Sequence, residues 1–135
     1  MRLRAAVRRI LERERVCRLA TVGADGTPHV VPVCHVLHQD RLYFASDRTA
    51  QKVHNLRARP RAAAVVDVYV EDWSRLAGVM VTGRVQLIER GPRFRRIRRL
   101  LYQKYPQYPT DSALEEGESV IAELVPARVA AWGLD

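Results

Sequence analysis

At 135 residues, with 47% hydrophobic and 28% charged side chains, the chain has the length of one domain and is too apolar for a disordered segment. No apolar run reaches membrane-spanning length, the basic N-terminus lacks the apolar block of a secretory signal, and Cys17 and Cys34 show neither CxxC nor zinc spacing, so free thiols in a reducing cytoplasm are expected. The formal net charge is +8, carried almost wholly by arginine, since only Lys52 and Lys104 are lysines.

Residues 2–14 place Leu3, Val7, Ile10 and Leu11 on one face, which predicts a short amphipathic helix. Leu19 to Val22 reads as a strand, and Asp25-Gly26 before Pro28 marks a hairpin turn. The return strand is expected from His29 to Leu37, with Pro32 signalling a bulge or a sheet edge because proline cannot donate to the ladder. A third strand follows from Arg41 to Ala45. Thr49 to Ala58 predicts a helix, with Ser46, Asp47 and Thr49 as candidate caps, stopped before Pro60.

Arg61 to Val70 is a valine-rich strand, and Glu71 to Arg75 is a polar interruption around Trp73. Gly78 to Ile88 alternates as a strand, with Gly83 marking a bend or bulge. A helix is predicted from Pro92 to Lys104, then a loop, a short acidic element at 113–117, and strands over 119–124 and 128–132 on either side of Pro126. Meandering strands with interleaved helices predict an α+β domain over residues 1–135, closed as a small antiparallel barrel.

The arginines at 93, 95, 96, 98 and 99 alternate with Phe94, Ile97 and Leu100, which reads as the solvated face of an amphipathic helix. No nucleic-acid-binding motif accompanies them, so nucleic acid is not an expected partner. His35 and His38 are three apart on a strand, which places them on opposite faces, and no metal site is expected. No nucleophile motif and no catalytic acid or base stands out. One stretch is different. Ser46-Asp47-Arg48-Thr49-Ala50-Gln51-Lys52 lies where a strand opens into a helix, and a helix N-terminus offers free N–H groups to a phosphate. Ser46, Thr49, Arg48 and Lys52 could complete such a site. A capped surface helix with two solvated cations has the same spacing.

Taken in order, these segments resemble the pyridoxamine-phosphate-oxidase-like split-barrel flavoproteins, and most of all their coenzyme-F420-dependent branch. The resemblance is carried by Leu19-Ala20-Thr21-Val22 with Asp25-Gly26 and Pro28, and by Lys52 with Asn55-Leu56 and Pro60-Arg61. It continues through Val66-Asp67, Glu71-Asp72-Trp73-Ser74-Arg75-Leu76, Tyr105-Pro106-Gln107-Tyr108 and Trp132-Gly133-Leu134. It implies a six-stranded antiparallel split barrel with peripheral helices, dimerising around two shared cofactor sites. By that resemblance Lys52 would hold the cofactor phosphate, with Arg48 and Asn55 near it. The strand carrying His29, Val31, Pro32 and Val33 would pass beneath the ring, and Trp73 would come from the partner chain. The implied activity is hydride transfer from reduced F420, or FMN, to a small unsaturated or conjugated substrate. A flavin, haem or tetrapyrrole carrier is the other activity the superfamily offers. Ala77 and Gly78 stand where true pyridoxamine-phosphate oxidases carry an Arg-Gln pair, and Ala50 stands where a second basic residue often precedes the lysine. Vitamin-phosphate oxidation is therefore not expected.

Overall fold

A computed structural model of the chain describes residues 1–134. Helix α1 (Ala5–Arg13) leads into strands β1 (Cys17–Val22), β2 (Pro28–Val33), β3 (His35–His38) and β4 (Arg41–Asp47). Helix α2 (Gln51–Ala58), strand β5 (Arg61–Val68), a 3-10 turn (Trp73–Arg75) and strand β6 (Ala77–Ile88) follow. The chain ends with α3 (Pro92–Lys104), a helical turn α4 (Tyr108–Asp111) and β7 (Ser119–Trp132).

All seven strands form one antiparallel sheet in the order β2-β1-β5-β6-β7-β4-β3. Its two edge strands, β2 and β3, are consecutive in sequence and separated only by Cys34. Laid flat, seven strands would hold those edges about 29 Å apart. A one-residue link cannot span that distance, so the sheet must curl until its edges meet. β2 and β3 share no ladder, and the barrel stays split along that seam.

Seven strands replace the expected six. The return strand predicted over 29–37 breaks at Cys34, because its first half pairs with β1 and its second half with β4. Conversely, the strands expected over 119–124 and 128–132 are one continuous β7. Pro126 is absorbed by a bulge opposite Thr82 and Gly83, where the missing N–H leaves no ladder bond unmade. Gly83 makes that bulge possible, since a Cβ there would run into the Val125 carbonyl. Pro32 lies on an edge strand, as its chemistry demands.

The inner face of the sheet carries the main core. Leu19, Leu42, Val66, Val79, Val81 and Leu124 meet Val7, Ile10 and Leu11 of α1 and Leu56 of α2 there. On the outer face, α3 seats Phe94, Ile97 and Leu101 against Tyr43, Ile88 and Ile121. The rest of that face has no helix over it. A cross-strand row of Pro32, Arg18, Val65, Met80 and Ala130 runs over five strands, and all but Val65 are exposed. No helix among the described residues is long and apolar enough to cross a membrane.

Where β3 meets the end of α3, His35 is fully buried and its Nε2 donates to the Leu11 carbonyl at 2.8 Å. The Tyr105 hydroxyl accepts from the His35 N–H at 3.1 Å and donates to the Arg15 carbonyl at 2.8 Å, locking three segments together. Burial, reinforced by the Lys104 ammonium and the Arg15 guanidinium, pushes the His35 pKa down to about 4. An unfolded histidine takes up its proton near 6.5, so the unfolded chain binds more protons between those values and stability falls as pH drops through that window. The contribution lost approaches about 3 kcal/mol at the acid end. Urea unfolding at a series of pH values should therefore show the parent losing more stability between pH 6.5 and 4 than His35→Gln does. Parallel profiles for the two proteins would contradict this.

Candidate cofactor site

The end of β4, the loop after it and the first turn of α2 form the candidate site. α2 begins at Gln51, two residues later than the sequence suggests, because Asp47 organises the loop ahead of it. The Asp47 carboxylate accepts from the Thr49 N–H at 2.8 Å and from the Thr49 hydroxyl at 2.6 Å. Those bonds hold the Asp47 carboxyl below its ordinary pKa. The capping residue of α2 is Ala50, which has no side-chain acceptor to offer. The N–H groups of Gln51 and Lys52 find no backbone acceptor among the described residues, and they are the donors a helix start leaves open to an anion.

Lys52 is half-buried on the second residue of α2. Burial alone lowers its pKa, and no carboxylate lies within ion-pair distance of it among the described residues. A desolvated ammonium without a counter-ion, beside two free N–H groups, has the electrostatics of an anion site. Arg48 is disposed differently. Its N–H donates to the Glu118 carbonyl at 3.1 Å and its guanidinium reaches the Gly117 carbonyl at 3.4 Å, so it ties the loop to the start of β7. The Ser46 hydroxyl donates to the Asp47 carbonyl at 3.3 Å. Ser46, Thr49 and Arg48 are thus engaged within the loop, and Lys52 is the cation without an acceptor.

Asn55, one turn beyond Lys52, is buried. Its amide donates to the Thr21 hydroxyl at 3.0 Å and accepts from Gln51 Nε2 at 2.9 Å. These bonds fix α2 on β1 and so set where Lys52 stands. β2 does not present its four named residues together. His29, Val31 and Val33 pair with the core-facing Thr21, Leu19 and Cys17, whereas Pro32 pairs with the outward Arg18. Val33 is core, and His29 lies beside Thr21 with its Nδ1 buried and unpartnered.

Trp73 lies on the arm between β5 and β6 and is 72% exposed. Asp72 caps its 3-10 turn by accepting from the Ser74 N–H at 3.1 Å and from the Ser74 hydroxyl at 2.7 Å. The indole N–H donates to the Tyr69 hydroxyl at 3.2 Å, and Tyr69 is itself exposed. The tryptophan therefore stands outside its own core, tethered by that one hydrogen bond. At the start of β6, the Trp132 indole covers Gly78, where any side chain would collide with it. No cluster of three or more His, Cys, Asp or Glu side chains suited to a metal occurs among the described residues. No sequence motif marks the buried Glu123, which Tyr43 and Arg41 of β4 and Arg93 of α3 grip. Its partners lie 30 to 82 residues away, and spacing gives no signal for them.

A family model of pyridoxamine 5'-phosphate oxidase matches residues 3–133. The chain belongs to the pyridoxamine 5'-phosphate oxidase family. Solved structures with the same fold include an F420 reductase, at 24% identity, with 95% of this chain and 98% of that chain covered and a TM-score of 0.75. The heme storage protein HutZ of Vibrio cholerae matches at 16% identity over 99% of this chain and 96% of its own, with a TM-score of 0.81. A conserved hypothetical protein of Mycobacterium tuberculosis matches at 20% identity over 98% and 89%, also with a TM-score of 0.81. At these identities the likeness establishes the fold alone. No curated protein sequence matches the chain significantly. A reductase and a heme storage protein thus share this one fold.

Within this family member, Asn55 is a positioning residue. Asn55→Ala leaves the buried Thr21 hydroxyl without its donor and should destabilise the fold by about 1–3 kcal/mol in urea unfolding. A change below about 0.5 kcal/mol, the range of ordinary surface substitutions, would contradict the role.

Proposed function

We propose that this family member is a homodimeric oxidoreductase. It uses reduced F420, with FMN as the alternative cofactor, to reduce a small unsaturated or conjugated substrate. The observation that carries this reading is Lys52, a half-buried cation without a counter-ion beside the open N–H groups of α2. Both cofactors bring a phosphate, and the site's chemistry matches that group. When bound, the cofactor supplies the hydride. Lys52 and the α2 N-terminus hold the phosphate, Asn55 sets the position of that helix, and Trp73 of a second copy covers the ring and excludes water.

Dimerisation is proposed on the uncovered outer face of the sheet. In the row Pro32, Arg18, Val65, Met80 and Ala130, the apolar members cost hydrophobic free energy while they face water, Arg18 is paired with Asp67, and a second copy would cover the row symmetrically. Trp73 and Tyr69, exposed on the arm beyond that face, would then reach the neighbouring chain. Vitamin-phosphate oxidation is disfavoured, because Ala77 and Gly78 bring no polar side chain to the start of β6.

A carrier of flavin, haem or tetrapyrrole is the second reading. It is favoured by the internal engagement of the polar groups at the loop: the Asp47 carboxylate accepts from Thr49, and the Asn55 amide bonds to Thr21 and Gln51. Steady-state oxidation of reduced F420 by a candidate acceptor supports the enzyme. Stoichiometric binding without turnover supports the carrier.

Lys52→Ala should weaken FMN or F420 binding by about 1.5–3 kcal/mol, roughly ten- to a hundredfold, in a fluorescence titration. Folding stability should barely change. For the parent, affinity should fall as pH rises into the lowered titration range of Lys52, since the ammonium loses the charge that holds the phosphate. Equal affinity in parent and Lys52→Ala would place the phosphate elsewhere.

A further inference from the structure

Away from α2, on the other half of the sheet, three guanidinium groups surround one cleft. It is a hollow of about 190 Å³ between the β3–β4 turn and α3. Arg41 enters from β4, and Arg93 and Arg96 from the first turns of α3. At its base lies Glu123, which is 1% exposed. The Glu123 carboxylate accepts from the Tyr43 hydroxyl at 2.7 Å, and the Arg41 and Arg93 guanidinium groups close on its two oxygens. Burial pushes the Glu123 carboxyl up, but Tyr43 and Arg93 outweigh it, and the group stays below its ordinary pKa.

Glu123 fixes two arginines without using all their donors, because each guanidinium has five. Both remain nearly half exposed on their other edges. Arg96 has no acidic partner within ion-pair reach among the described residues, whereas its neighbour Arg95 is paired with Glu116. One carboxylate against three guanidinium groups leaves a local charge of about +2, and Glu123 fixes Arg41 and Arg93 before any ligand arrives. His38 and Gln86 add neutral hydrogen-bonding groups to the lining. The rim is also constrained: Gln39 and Asp40 both take positive φ, at 51° and 60°, and the Asp40 carboxylate accepts from the Leu3 N–H at 3.3 Å.

We propose that this cleft binds a small doubly charged oxyanion of about the size of phosphate, on Arg41, Arg93 and Arg96 above the Glu123 platform. The volume suits a phosphate or the phosphate end of a small monoester and is too small for a nucleotide. The site is separate from Lys52 and does not rest on the cofactor reading.

Inorganic phosphate is the probe, titrated by calorimetry at constant ionic strength with chloride as the balancing ion. The background is Lys52→Ala, so that phosphate binding at α2 is weakened and the arginine variants report on the cleft. Saturable binding is expected in that protein, weakened about tenfold or more by adding Arg96→Gln and again by adding Arg41→Gln instead. Arg96 makes no internal ion pair, so its variant should fold normally, and the Arg41 variant is the independent check. Arg93 is left in place because its guanidinium makes the closer ion pair to the buried Glu123, and Arg41→Gln leaves that pair and the Tyr43 bond intact. Absence of saturable binding in the Lys52→Ala protein overturns the proposal. So does binding that neither arginine variant weakens.

Discussion

A sheet has two faces, and this chain supplies helices for one face and about half of the other. The inner face closes over α1 and α2, and α3 seals the outer face only along β3, β4 and the adjoining ends of β6 and β7. The one-residue link at Cys34 forces the sheet to curl, so the uncovered half becomes a broad convex wall. Every candidate functional feature is placed by that geometry. The Trp73 arm extends from the uncovered half, Lys52 stands where α2 starts over the inner face, and the arginine cleft opens along the border of α3.

The chain answers its buried polar groups unevenly. Asn55 and Glu123 are engaged by partners, which offsets the cost of burying them. His35 keeps its Nε2 bonded and gives up its proton instead, the usual outcome when an ionisable group is desolvated beside cations. Cys17 behaves alike: burial pushes its thiol up to about 12, which leaves it an inert core side chain. Lys52 fits neither pattern. It is partly desolvated without an internal counter-ion, and that imbalance is what a ligand phosphate would correct.

The elements with strong local signals were legible in the sequence. The Pro92–Lys104 helix, the Asp25-Gly26 hairpin and the Gly83 bulge all form where their residues indicate. What was not legible depends on distant partners. The break at Cys34 arises because β2 and β3 pair with different strands, and the continuity of β7 across Pro126 arises from a bulge formed with β6. At the candidate site, spacing identified the loop and the lysine. It could not show that Asp47 would occupy Thr49, that Arg48 would turn to Gly117, or that alternation on β2 would put Pro32 opposite to His29, Val31 and Val33. The seven-strand count and the Glu123 cluster were invisible for the same reason.

In the proposed dimer, each cofactor site takes Lys52 from one chain and Trp73 from the other. Subunit exchange between two defective proteins tests it most directly. Lys52→Ala and Trp73→Ala homodimers should each bind FMN or F420 poorly. After mixing and exchange, half of the dimers would be hybrids, each with one intact site and one doubly altered site. Tight binding should then return at about a quarter of all sites, as random pairing in a two-fold dimer requires. If exchange is verified and no tight site returns, the two residues do not meet across an interface, and the shared-site account is wrong.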